Sequence, residues 1–142
     1  MWLQKEITLP QKRPGFYLIT DVIQQQLPEI RNYRTGLLHL QLLHTSASLT
    51  LNENADPDVR TDLMAFLTRL VPDGADYFRH VLEGPDDMSA HIKASLLGTS
   101  LSVAVSHGKL QLGTWQGIYF GEHRLQAGAR KLLLTLQGEC LM

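Results

Sequence analysis

Of the 142 residues only Cys140 is a cysteine, so no intramolecular disulfide can form, and a reducing compartment such as the cytosol is expected. A basic excess is also lacking: thirteen Lys and Arg stand against fourteen Asp and Glu. The charge pattern of a polyanion binder is therefore missing, and neither nucleic acid nor a membrane surface is expected as a partner. Lys5, Glu6, Lys12 and Arg13 break the N-terminal region before an apolar run can develop, so no signal peptide is read there. The one long uncharged stretch, Thr35 to Asn52, contains Gln41, His39, His44 and several hydroxyl residues. It reads as a buried strand running into a polar loop, because a spanning helix needs about 20 predominantly apolar residues. Walker loops, dinucleotide glycine fingerprints and G-x-S-x-G elbows are absent as well.

What is present is enough apolar material for a core. Hydrophobic residues make up 44% of the chain, and no linker, repeat or low-complexity tract divides residues 1–142, so we read one domain. Strands are expected at Trp2–Leu9 and Phe16–Thr20, joined by a turn at Pro14-Gly15. Val22, Ile23, Leu27 and Ile30 fit a helix begun at Thr20 or Asp21, with Pro28 shortening or kinking it. Leu38, Leu40 and Leu42 alternate as in a strand.

Asp56, Pro57 and Asp58 mark the start of a second helix, whose stripe is Val59, Leu63, Phe66, Leu67 and Leu70. A third helix follows Asp86 or Asp87, burying Met88, Ile92 and Leu96 and ending at Gly98. Strands then follow at Leu101–Val105, Leu110–Leu112, Thr114–Phe120 and Lys131–Gln137, with a hairpin at Ser106-His107-Gly108-Lys109. Leu132, Leu133 and Leu134 are apolar on both faces, which requires cover on two sides. About seven strands and three helices make an α+β domain.

The charge is segregated. Glu53 to Asp87 holds nine acidic and three basic residues, against ten basic and five acidic elsewhere. A pair of oppositely charged, solvated faces would account for this, except that His44 and His91 bracket the acidic stretch and His80 lies within it. Four polar clusters follow. His44-Thr45-Ser46-Ala47-Ser48 can present imidazole and hydroxyls to phosphate or a metal, or simply form a hydroxyl-rich turn. In Asn52-Glu53-Asn54, carboxylate and amide oxygens suit a hard cation such as magnesium, with a capping loop as the competing reading. His80 to Lys93 brings Glu83, Asp86, Asp87 and His91 together, in a spacing that matches no zinc signature. In Gly113-Thr114-Trp115-Gln116-Gly117, Trp115 can stack on a heterocycle or fill the sheet core. Arg124 can bind phosphate, though an exposed surface arginine is the more usual outcome, and Cys140 reads as incidental.

These runs, in order and over nearly the whole chain, resemble the YjbQ-like family, described as secondary thiamine-phosphate synthases. The resemblance implies two packed, largely antiparallel sheets, a homotrimer, and a small phosphorylated substrate. The implied reaction joins an aminopyrimidine diphosphate to a thiazole phosphate and releases pyrophosphate. The family pattern falls on His44, Thr45, Ser46, Asn52, Glu53, Asn54, His80, Glu83, Asp87, His91, Lys93, Trp115 and Gln116. Ser89 departs from it, standing where proline is common, and His123 is left outside the core site.

On this basis His44, Glu53, His80, Asp87, His91 and Lys93 are the expected catalytic group. Thr45, Ser46, Asn52, Asn54, Glu83, Trp115 and Gln116 are expected to contact substrate. Magnesium would be held by Glu53 or Asp87, and a transition metal such as zinc by His44, His80 and His91, three rings expected to converge. A non-catalytic metal or phosphorylated-ligand binder uses the same residues, and a structural trimer with locally satisfied histidines is the bland alternative.

Overall fold

Alternating leucines set the larger of two sheets. In the computed structural model, which describes residues 1–141, the chain forms β1 (Trp2–Leu9), β2 (Gly15–Leu18), α1 (Thr20–Gln26) and a 3-10 turn (Pro28–Asn32). It continues through β3 (Tyr33–Leu42), β4 (Ala47–Glu53), α2 (Pro57–Leu70) and α3 (Asp87–Leu97). The last strands are β5 (Ser100–Ser106), β6 (Lys109–Leu110), β7 (Gln116–Glu122) and β8 (Arg130–Cys140). Five strands pair in the order β1-β8-β3-β5-β6 and three in the order β2-β7-β4, every pair antiparallel. This is the expected α+β architecture of two antiparallel sheets with three helices.

The core lies where the sheets face one another. Leu38, Leu40, Leu42, Leu132, Leu134 and Leu136 from the large sheet meet Ala47, Leu49, Ile118 and Phe120 from the small one. Ile23 and Leu27 of α1 and Ile30 of the 3-10 turn complete it. A smaller cluster of Phe16, Tyr119 and Leu67 joins the other face of the small sheet to α2. In β8 the two faces separate: Leu132 and Leu134 are fully buried while Leu133 is only half-buried.

Several expectations need correction. The described residues form eight strands, because Ala47–Glu53 is β4 rather than a polar loop. Its hydroxyl and amide residues interleave with Ala47, Leu49 and Leu51 at the strand period of two. Pro28 shortens α1 as expected, the helix ending at Gln26, and it starts the 3-10 turn, where a missing N–H is harmless. In α2, Asp56 caps as expected, its carboxylate accepting from the Asp58 amide at 2.9 Å. Of the predicted stripe, however, only Leu67 is buried, with Phe66 and Leu70 exposed. The predicted face of α3 is wrong. Its buried residues are Asp87, Ser89, Ala90, Lys93 and Ala94, and Leu96 is 60% exposed. Small residues let this helix lie close on β4, so polar neighbours go in with them.

Gly36 and Gly138 pair directly across β3 and β8, beside the register shift between Tyr33 and Thr35. A Cβ on Gly138 would run into the Thr35 carbonyl and the Gly36 Cα, both backbone atoms that cannot swing away. Gly138→Ala is expected to cost about 1–3 kcal/mol, read as a lowered urea midpoint. An unchanged midpoint would show that the two strands can separate freely.

Candidate functional site

The chain leaves β3 in the large sheet and enters β4 in the small one within four residues, 43–46. This crossing sets the Thr45 carbonyl against α3, where it accepts from His91 Nδ1 at 2.9 Å. Asp87 opens α3 and is buried. His91 follows it by one turn, and His80 arrives from the irregular segment between α2 and α3. The result is a three-residue centre: Asp87 Oδ2 lies 2.7 Å from His80 Nε2 and 3.0 Å from His91 Nε2. The three candidate ligand atoms all lie within 4.8 Å of one another.

Hydrogen-bond accounting shows what this centre requires. The Thr45 carbonyl can only accept, so His91 Nδ1 carries the proton, and a neutral ring then points a lone pair at the Asp87 carboxylate. Two lone pairs at 3.0 Å need a cation between them, either a second proton on the ring or a metal ion. Backbone anchoring of the outer ring nitrogen is also how metal-bound histidines are oriented. Two imidazole nitrogens and one carboxylate oxygen fit a zinc-like transition ion, whereas magnesium prefers an all-oxygen shell.

Arg124 sits behind the centre, and sequence reasoning placed it wrongly on the open surface. Its guanidinium donates to Asp86 Oδ2 at 3.0 Å, to Asp87 Oδ1 at 2.7 Å and to the Glu83 carbonyl at 2.9 Å. Asp86 also accepts from the Leu125 amide at 2.9 Å. Burial by itself would raise both carboxyl groups. The Leu125 and Arg124 hydrogen bonds at Asp86 outweigh it, as do His80, His91 and Arg124 at Asp87, and both are held below the usual carboxylate range. Arg124 is raised in turn, chiefly by its hydrogen bond to Asp86. Ser89 ties α3 back to the preceding segment by donating to the Asp73 carboxylate.

The other expected residues fall in different places. His44 is not among the converging ligand atoms, which corrects the three-histidine expectation. Its Nε2 accepts from the Lys131 amide at 2.8 Å, and burial together with Arg130 lowers its proton affinity. Glu53 also stands apart from the converging group, its carboxylate facing the Asp56 amide at 3.4 Å. Asn52 Oδ1 accepts from the Glu53 amide, and Asn54 donates to the Thr114 and Gln116 carbonyls. Gln116 Oε1 accepts from the Gly113 amide. Trp115 precedes β7 and is exposed, so it does not fill the sheet core. Glu83 offers its carbonyl to Arg124. Lys93 is 6% exposed, and among the described residues its ammonium has no carboxylate within ion-pair distance.

Ser46 belongs to a second buried network. Its hydroxyl and carbonyl accept from Arg130, which pairs with the fully buried Glu122 at 2.5 Å. Glu122 also accepts from the amides of His123 and Arg124. His123 is buried, 2.8 Å from the Ser48 hydroxyl. Burial, with Lys93 and Arg130 nearby, pushes its imidazole down to about 4. The adjacent Glu-His-Arg run in the sequence was the available signal for these residues, but it carried no indication of burial.

This fold, with a His-Asp-His centre at the start of α3, defines a class of small two-sheet α+β proteins with a candidate metal site. Residues 5–139 match the family model described as UPF0047 protein YjbQ-like, and the chain belongs to that family. It is 58% identical to the UPF0047 protein YjbQ of Salmonella typhimurium over 139 residues, covering 98% of this chain and all of that protein. It is 48% identical to YugU of Bacillus subtilis over 111 residues, 78% of this chain and 81% of that one. A YjbQ/UPF0047-family structure from Clostridium acetobutylicum, 35% identical, superposes with a TM-score of 0.78 over 96% of this chain and 99% of that one. A structure from Sulfolobus solfataricus, titled as a YbjQ-like protein of unknown function, has the same fold, with a TM-score of 0.86 at 23% identity. It covers 98% of this chain and 99% of that one.

The His-Asp-His centre and the buried network around His123 each make a testable demand. Purified protein stripped of metal is expected to take up zinc, with His80→Ala or His91→Ala weakening uptake by at least about 100-fold in chelator competition and His44→Ala leaving it intact. Equal loss in all three variants would refute the His-Asp-His assignment. His123 sets a separate pH dependence. Its folded value of about 4 lies below the ordinary 6.5, so between those values the unfolded chain takes up a proton that the folded chain refuses. Stability should therefore fall as pH drops through this window, by on the order of 3 kcal/mol in all. Urea titrations of wild type and His123→Gln at pH 7 and 4.5 should show this component only in wild type.

Proposed function

We propose that the chain is a transferase for small phosphorylated substrates, built on the His80–Asp87–His91 centre, and that thiamine-phosphate synthesis is its reaction. The observation that carries this reading is the meeting of two imidazoles and one buried carboxylate, aimed by Thr45 and Arg124. His80, Asp87 and His91 would hold a transition ion, whose charge would offset that gathering on a departing diphosphate.

The thiazole ring nitrogen attacks the methylene carbon of the aminopyrimidine diphosphate. A C–N bond forms as the C–O bond breaks, and the bonding electron pair leaves with pyrophosphate. Among the described residues Lys93 has no carboxylate within ion-pair distance and is the chain's own candidate for holding diphosphate oxygens, with the Thr45 hydroxyl as a second donor. Trp115 stands at the opposite end of the β4–β7 pair from Thr45 and Arg124, so within one chain it does not reach a ring held at the centre and has no part in this step. A trimer belongs to the same reading: Val81, Leu82 and Leu125, on the segments flanking the centre, are left exposed, as apolar contact surface would be. Light scattering of the purified chain reads that assembly directly.

One observation favours a second reading, a metal or phosphorylated-ligand binder without turnover. His80 is half exposed at its side chain, and cavities of about 430, 270 and 540 Å³ are all lined by other residues. Incubation of metal-loaded protein with both substrates and magnesium separates the two. The transferase should yield thiamine phosphate by mass spectrometry, with His91→Ala reducing the rate by at least about 100-fold. Tight metal binding with no product from wild type would remove the synthase and leave the binder.

A further inference from the structure

Two cations without counter-ions frame a cleft along β2, an edge strand of the small sheet. On one side is Arg60, from the first turns of α2, whose Nη1 is shut off from solvent and has no hydrogen-bond partner among the described residues. On the other is Lys12, from the link between β1 and β2, with its ammonium 5.2 Å from the centre of the Tyr17 ring. The Tyr17 hydroxyl donates to the Arg13 carbonyl at 2.7 Å, which holds that link in place. Neither cation forms an ion pair among the described residues.

The cleft consists of two joined hollows, of about 270 and 540 Å³, that share Phe16, Tyr17 and Arg60. No acidic residue lines either one. The floor of the smaller hollow is apolar, with Leu9, Val22 and Phe120.

Arg60 lines both hollows and has no carboxylate within ion-pair distance among the described residues, so its charge is open to an anion from outside. A planar guanidinium pairs best with an oxyanion that accepts two parallel N–H bonds, and an ammonium adds a second charge without directional demand. Two positive charges with no carboxylate among the lining residues match a dianion better than a monoanion. The aromatic and aliphatic floor adds a requirement for an apolar body behind the charge.

We infer that this cleft binds the phosphate monoester of a small aromatic or heterocyclic compound, with the phosphate between Arg60 and Lys12 and the ring over Leu9 and Phe120. The site uses none of the residues of the His80–Asp87–His91 centre, so it stands whether or not the chain is a synthase.

The test uses the full chain stripped of metal, so that no anion can report through an ion at the centre. Phenyl phosphate is titrated by calorimetry, with benzoate and inorganic phosphate as partial probes. Phenyl phosphate should bind, while benzoate, with one charge, and inorganic phosphate, with no ring, should each bind about tenfold more weakly or less well still. Arg60→Gln and Lys12→Gln should each weaken phenyl phosphate about tenfold, and the double variant should abolish binding, while His91→Ala leaves it unchanged. Thermal midpoints without ligand show that each variant is folded, and Lys12→Gln, in a linking segment, serves should Arg60→Gln fail to fold. No heat from wild type up to about 10 mM phenyl phosphate, equal binding by the folded Lys12→Gln variant, or loss of binding in His91→Ala would overturn the proposal.

Discussion

One guanidinium holds the chemical end of this molecule together. Arg124, just beyond β7, bonds to both Asp86 and Asp87 at the start of α3 and to the carbonyl of Glu83. Two stretches distant in sequence, 83–87 and the end of β7, therefore meet at a single planar group. The two carboxylates can stay ionised while nearly buried because this charge and the surrounding amide and imidazole donors compensate their lost hydration. With Oδ1 of Asp87 committed to Arg124, Oδ2 is left for the two histidines. Arg124 thus fixes both the charge and the direction of the carboxylate on which the centre is built.

Much of the fold was legible in the sequence because simple periodicities and local caps determine it. The alternation of Leu38, Leu40 and Leu42 places all three in the core. The Asp56-Pro57 start of α2 follows from capping alone, and the His107-Gly108 hairpin from the two positive φ values it requires. Where burial depends on close approach instead of apolar content, sequence reading misjudged it. Ala90 and Ala94 bring α3 against the small sheet and carry Asp87 and Lys93 inside, while Leu96 remains outside. A reading weighted by side-chain size chooses the opposite face.

The candidate site divides in the same way. His80, Asp87 and His91 were marked by local density of ionisable groups, and they meet. His44 and Glu53 were marked by motif as well, yet His44 goes to the Lys131 amide and Glu53 faces the Asp56 amide. Arg124 and His123 lacked any local signal of burial, because what buries them comes from α3, β4 and the sheet contacts around them. Pairing across strands and helices decides such cases, and a linear reading sees only neighbours in the chain.

The four-residue crossing from β3 to β4 has a mechanical consequence. Within it, His44 is pinned to the large sheet through Lys131, Thr45 to α3 through His91, and Ser46 to β8 through Arg130. Consecutive residues thus act as rivets joining two plates and the rod lying across one of them. A shear of one sheet past the other would have to tug on the ring of His91, so the aim of that imidazole reports the registration of the whole sandwich.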